Sequence, residues 1–276
     1  MIMPAPDSSA LHFLSGLPRS GSTLLTALLR QNPRFHADIT SPLYTMVTAM
    51  AQKMSDETEY GTFFTDARRQ AVMRGLFESY YRDAGAAVVF DNNRGWCGML
   101  PALVQLFPQT RVIACVREVA WIVDSFERIL RRNPFRPTVL TGFKLDTTVY
   151  TRANGLASPG GSVGFAYEGL KEAFYGEHAA RLMLLQYETL TREPARAMAA
   201  VYRFLGEPAF EHDFEHVEFE APAFDERMGA PGMHRITGRV RINERPSILP
   251  PDLIRRCEND SFWRDPGANP HGVLIV

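Results

Sequence analysis

Gly16-Leu-Pro-Arg-Ser-Gly21-Ser22-Thr23 keeps the G-x₄-G-x-[ST] skeleton of a phosphate-cradling loop. In such loops, backbone N–H groups and the N-terminus of the following helix hold phosphate oxygens. The lysine that reaches the β/γ-phosphates of a nucleoside triphosphate is absent, because Ser22 stands in its place. Arg19 sits inside the loop instead. A transferable γ-phosphate would lose its main cation here. The loop therefore reads as a holder for a phosphate whose reacting group lies in another direction, with Pro18, Arg19, Ser20, Gly21, Ser22 and Thr23 as its binding residues. A second constellation is Arg117 with Ser125 eight residues on. A guanidinium beside a hydroxyl suits a second, separate phosphate.

The surrounding pattern says how these residues are presented. Apolar runs 11–15, 86–90, 111–116 and 182–187 alternate with helical patterns at 23–31, 66–83, 99–107, 120–132 and 194–205. Asp66 is the expected N-cap of the second of these helices, and Asn133-Pro134 the stop of the fourth. Strands apolar throughout and alternating with helices predict an α/β, P-loop-type three-layer fold with a central parallel sheet flanked by helices. Right-handed crossovers then gather the strand C-terminal ends, and the loops that follow them, on one edge. The loop after the first strand and Arg117 after the third share that edge. Ser125 falls about two turns into the next helix, on the same side. We expect one domain over residues 1–276: a nucleotide-binding core at 11–206, a mobile insertion at 137–166 and a wrapping C-terminal segment at 207–276.

Composition bounds the function. The chain has 276 residues and a net charge of −1, which argues against a nucleic-acid coat or an anionic-membrane binder. Its 30 basic residues are 27 Arg and only three Lys, an excess that mostly reads as a compositional bias. Three widely spaced cysteines form neither a disulfide framework nor a zinc pattern. Residues 1–10 lack the features of a signal peptide and no apolar run is long enough to span a bilayer, so a cytoplasmic protein is expected.

GLPRSGSTLL together with VREVAWIVDS resembles the two phosphate-binding elements of sulfotransferases that use 3′-phosphoadenosine-5′-phosphosulfate (PAPS). The Pro-Arg-Ser-Gly form is similar to the tyrosylprotein sulfotransferases and their bacterial relatives. Tyr187, in LLQYETLTREP, matches a family segment whose tyrosine approaches the nucleotide. The resemblance implies PAPS as co-substrate, PAP as product, no metal, and an acceptor hydroxyl such as that of a peptide tyrosine. It puts the loop on the 5′-phosphosulfate, Arg19 on the bridging oxygen, and Arg117 with Ser125 on the 3′-phosphate. It also exposes departures. Where tyrosylprotein sulfotransferases carry a catalytic Glu, this chain has Thr40, leaving His36 or Asp38 as the nearest candidate base. Near the position of an assisting Lys stands Asn92, with Arg94 the only cation; Arg94 either replaces that lysine or pairs with Asp91. Arg245 and its neighbours are the expected counterpart of the basic C-terminal segment that closes the nucleotide site.

Two other readings compete. A P-loop small-molecule kinase would use Asp91 as a magnesium-binding carboxylate, but leaves Ser22 and the Arg117/Ser125 pair unexplained. A non-catalytic nucleotide-binding module would account for the missing Glu. The His212/His216 pair lacks the glutamate of a zinc-protease helix and reads as a solvated loop. Cys97 reads as a buried free thiol.

Overall fold

The computed structural model describes residues 9–276 except 56, 133, 137 and 143–146. In chain order its strands are β1 (Ala10–Gly16), β2 (Phe35–Ala37), β3 (Val88–Asn92), β4 (Val112–Val116), β5 (Leu182–Gln186), β6 (Val217–Phe219), β7 (Ile236–Gly238) and β8 (Leu274–Ile275). Its α-helices are α1 (Ser22–Leu29), α2 (Leu43–Lys53), α3 (Asp66–Tyr80), α4 (Leu100–Leu106), α5 (Val119–Arg132), α6 (Val149–Ala157), α7 (Gly164–Tyr175), α8 (Tyr187–Arg192), α9 (Pro194–Leu205), α10 (Pro222–Arg227) and α11 (Pro251–Arg256).

The central sheet runs β2-β3-β1-β4-β5-β8, and every pair in it is parallel. Side-chain alternation explains the three layers. On β4, Val112, Ala114 and Val116 pack on one face, in a cluster with residues of α2 to α7. Ile113 and Cys115 point to the other face, toward α1 and α9. On β5, Leu182 and Leu184 divide from Met183 and Leu185 in the same way. Strands buried on both faces have no polar side, hence the unbroken apolar runs.

The chain proceeds from β1 outward through β2 and β3, then returns to lay β4 on the other side of β1. The C-terminal ends of β1 and β4 therefore flank the point where the winding reverses, where open parallel sheets bind ligands. The phosphate loop leaves β1 there, and Arg117 leaves β4.

A buried carboxylate fixes the neighbouring rim. Asp91, at the end of β3, accepts hydrogen bonds from Ser41 Oγ (2.6 Å), Tyr81 Oη (2.7 Å) and Trp96 Nε1 (2.7 Å). Ser41 Oγ in turn accepts from the Leu43 N–H at the start of α2 (3.1 Å). With both oxygens engaged, Asp91 is a structural tie and is not paired with Arg94.

Several local details differ from expectation. Thr65, not Asp66, caps α3, accepting from the Arg68 N–H. Tyr187 opens α8 and does not end the strand. β2 and β8, three and two residues long, complete the sheet edges. Within 137–166 stand α6 and the start of α7, while 137 and 143–146 lie outside the described residues. α5 ends at Arg132, and Asn133 of the expected stop signal also lies outside them. So do residues 1–8, on which the leader-peptide reading falls. Beyond residue 206, β6 and β7 pair antiparallel, and Val217 and Val240 join one core cluster while Met233, Leu249 and Trp263 join the other. No described helix is long and apolar enough to cross a membrane.

Candidate functional site

The loop geometry follows from its glycines. Gly16 has φ +98°, and a Cβ there would lie 2.3 Å from the Cys115 carbonyl oxygen. The glycine lets the chain turn off β1 against β4, where the Leu17 N–H donates to that same oxygen (2.9 Å). Arg19 has φ +59°, the one non-glycine residue with positive φ among those described. Gly21, φ +99°, caps α1 without a side chain, and the first turn of α1 carries no acidic residue. The N–H groups of Ser22, Thr23 and Leu24 are thus left without a side-chain acceptor at the positive end of a helix dipole, the arrangement that binds anions.

A cavity of about 770 Å³ opens over this loop. The loop lines it with Pro18, Arg19, Gly21, Ser22 and Thr23. Arg94, Arg117, Ser125 and Tyr187 converge from the ends of β3, β4 and β5 and from α5. Thr40 lines the rim. Ser20 is fully buried beneath the loop, its hydroxyl turned to the Pro18 carbonyl (3.4 Å).

The two sequence constellations meet directly. Arg19 Nε donates to Ser125 Oγ (3.1 Å), and Arg19 Nη1 donates to the Met233 carbonyl (2.7 Å). Burial, then the nearby Arg117 charge, lowers the Arg19 pKa to about 10, with Asp225 and Tyr187 pulling the other way. It stays cationic at neutral pH. Arg117 lies over the Tyr187 ring, 4.0 Å from its centroid. Its Nε is buried and meets no acceptor among the described residues. A buried charged donor without a partner is costly, and an anion in the cavity removes the cost. Burial also pushes the Arg94 pKa down.

His36, Asp38 and Arg245 are not among the lining residues. His36 meets the Tyr81 ring edge-on, centroids 5.6 Å apart. Asp38 is exposed, and its Oδ1 accepts from the Ile39 N–H (2.7 Å). Arg245 donates to Asp124 Oδ2 (2.9 Å) on α5. From the same basic stretch, Arg235, Arg239 and Arg241 do line the cavity, and Arg239 is paired with Glu215 (3.2 Å).

One pair at the site was not foreseen. His234 lines the cavity wall. Its Nδ1 lies 2.5 Å from Asp225 Oδ1, and its backbone N–H donates to Asp225 Oδ2 (2.9 Å). Asp225 is almost wholly buried. Burial depresses the His234 pKa, the Asp225 contacts raise it, and the Arg19 and Arg94 charges depress it again, leaving it below the ordinary histidine value. Nothing local marks the pair in the sequence: nine positions apart, it matches no helix or strand repeat. Among the described residues, no group of three or more His, Cys, Asp or Glu is placed to hold a metal ion.

Comparison with solved structures finds sulfotransferase domains. The sulfotransferase domain of the Synechococcus PCC 7002 olefin synthase is 20% identical, over 94% of this chain and 98% of that one, with a TM-score of 0.49. The domain from the curacin biosynthetic pathway is 17% identical, over 75% and 76%, also at 0.49. A sulfotransferase from Alicyclobacillus acidocaldarius is 14% identical, over 80% and 90%, again at 0.49. No curated protein matches the chain. Residues 12–212 match the family model described as "Sulfotransferase family". That match takes in the phosphate loop, Arg94, Arg117, Ser125 and Tyr187, well over half of the sequence, and this chain therefore belongs to the sulfotransferase family.

Proposed function

We propose that the cavity binds PAPS and that the protein moves its sulfuryl group to an acceptor hydroxyl, with a peptide tyrosine as the first acceptor to test. The observation that carries this reading is Arg117 Nε, buried with no acceptor of its own on a residue that lines the same cavity as Ser125. It calls for an anion in addition to the one the loop amides would take. Bound PAPS would supply an activated sulfuryl group on a 5′-phosphate and an anchoring 3′-phosphate.

The residues divide the work accordingly. Loop amides 20–23 and the Thr23 hydroxyl hold the 5′-phosphate and receive its growing negative charge in the transition state. Arg19 stabilises the bridging oxygen. Ser125 Oγ accepts from Arg19 Nε, so its own O–H is free to donate to the 3′-phosphate beside Arg117. Arg94 steadies the transferring oxygens from the end of β3. The kinase reading loses its main support, because both Asp91 oxygens are taken by Ser41, Tyr81 and Trp96.

The test is ligand-dependent stability followed by transfer. PAP is expected to raise Tm in the presence of a chelator, and ATP with Mg²⁺ to raise it less. ³⁵S from labelled PAPS is expected to appear on a hydroxyl acceptor from a panel of tyrosine peptides and small phenols. Stabilisation by ATP·Mg²⁺ alone would sink the reading. PAP binding with no transfer to any acceptor would favour the non-catalytic module.

A further inference from the structure

The departure at Thr40 leaves the site without the glutamate that removes the acceptor proton in the resembling enzymes, and neither His36 nor Asp38 lines the cavity. The cavity wall carries another group of the right kind. β6 and β7 pair across Val217↔Gly238 and Phe219↔Ile236, closing an excursion of the chain that contains both α10 and His234. Pro222 starts α10, and Asp225 sits in its first turn with its carboxylate buried. That carboxylate takes the His234 backbone N–H on one oxygen and His234 Nδ1 on the other. The residue is thus held at two points, its backbone N–H and its ring Nδ1, with Phe224 edge-on to the imidazole at 5.6 Å. The carboxylate oxygen accepts from Nδ1, the tautomer that leaves Nε2 with the free lone pair. Arg19 clasps the adjoining residue through the Met233 carbonyl (2.7 Å). The loop cation and the imidazole are thus joined within one residue of each other.

Resting on the sulfuryl-transfer reading, we infer that His234 is the general base of the reaction and Asp225 its positioning residue. His234 Nε2 takes the acceptor hydroxyl proton as the acceptor oxygen bonds to sulfur. The bond between sulfur and the bridging oxygen breaks, and its electron pair stays on the 5′-phosphate beside Arg19 and the loop amides. The products are the sulfate ester and PAP, and the imidazolium later returns its proton to solvent. The charged groups facing the imidazole are Asp225 from α10, Arg19 from the phosphate loop and Arg94 from the end of β3. Burial and the two arginines keep it neutral, hence able to accept a proton, at neutral pH.

The experiment compares wild type, His234→Gln and Asp225→Asn. First, ¹⁵N NMR of the full-length protein with PAP reports the His234 tautomer; protonation at Nδ1 is expected in wild type. Second, titration calorimetry with PAP is expected to give Kd values within about threefold of wild type for His234→Gln. Third, transfer to a phenol of high pKa is expected to fall about 10²–10⁴-fold in kcat for His234→Gln. A strongly acidic phenol, already ionised at the assay pH, is expected to lose far less, because it has no proton to give up. Asp225→Asn is expected to lower kcat, to move the acid limb of the pH–rate profile further toward acid, and to scramble the tautomer. A purely structural loss would affect both phenols equally. Equal loss with the two phenols, a collapse of PAP affinity in His234→Gln, an Nε2-protonated imidazole, or unchanged kinetics each overturns the assignment while leaving sulfuryl transfer intact. A wild type that transfers nothing overturns the sulfuryl-transfer reading, and the base assignment with it.

Discussion

Arg19 and Arg117 are both cations at the end of a strand, yet their surroundings separate what each does. Arg19 is buried with two of its donors engaged, Nε on Ser125 Oγ and Nη1 on the Met233 carbonyl, so it joins the loop, α5 and the segment carrying His234. Arg117 keeps a buried donor free of partners and lies over the Tyr187 ring. In the proposed transfer, removing Arg19 takes away charge next to the bridging oxygen, and kcat of Arg19→Ala is expected to fall about 10²–10³-fold. Arg19→Lys keeps the charge but cannot reproduce a two-pronged planar donor, and an intermediate loss is expected. On the proposed PAPS reading, removing Arg117 deletes charge-assisted bonds to the co-substrate, so PAP binding to Arg117→Ala is expected to weaken about 10–100-fold. Its kcat at saturating co-substrate should stay near wild type. Calorimetry with PAP and steady-state kinetics read the two effects separately; a variant with unchanged kinetics removes that residue from the site.

The loop after β1 takes its shape because β1 and β4 lie close enough for Gly16 to rest on the β4 backbone. A Cβ at Gly16 would meet Cys115 O at 2.3 Å and Cys115 N at 2.6 Å, and the residue already needs φ +98°. Gly16→Ala is therefore expected to cost about 3 kcal/mol or more and to abolish PAP binding. Gly85, with φ +63° but open space around it, is the control: Gly85→Ala is expected to cost about 1 kcal/mol and to leave PAP binding intact. Denaturant midpoints and calorimetry check both. This dependence on a strand end is also why the loop residues and Arg117, which the structure brings to one cavity, were legible in the sequence. Fully buried parallel strands write themselves as apolar runs, and the residues just after 15 and 116 fall on the ligand edge by topology alone. Legibility stopped where elements are too short to show a period, as with three-residue β2 and two-residue β8. It also stopped where a contact is tertiary. Thr65 displaced Asp66 as the cap because two adjacent residues both suit the role, and only the backbone chooses. Asp225 and His234 meet because a small ladder closes around them.

Across the whole molecule, α5 ties the C-terminal segment to the site. Ser125 faces the cavity, while its neighbour Asp124, fully buried, gathers that segment from the other side. Asp124 accepts from Arg245 Nη2 (2.9 Å), Ser247 Oγ (3.1 Å) and the Ile248 N–H (2.8 Å), and also from Arg128 Nε (2.8 Å) on its own helix. Residues 235–244, immediately before this anchor, line the cavity. Arg245 thus belongs to the anchoring of the cover, and the arginines that line the cavity precede it. Burial raises the Asp124 pKa, but the hydrogen bonds from Arg128 and Ile248 and the two arginine charges outweigh it, so the folded value lies below the ordinary one. A carboxylate depressed by folding stabilises the fold fully above its unfolded pKa, and that contribution is lost as pH falls through the folded value. Asp124→Asn, neutral at every pH, lacks the contribution throughout. Its stability gap to wild type, read from denaturant midpoints, is expected to be largest at neutral pH and to narrow as the medium is acidified. In the same variant, amide exchange at 245–248 should accelerate at neutral pH and PAP should bind more weakly, since the cover over the cavity has lost its anchor. A gap that does not change with pH would mean that Asp124 holds the segment by shape alone, with no part for its charge.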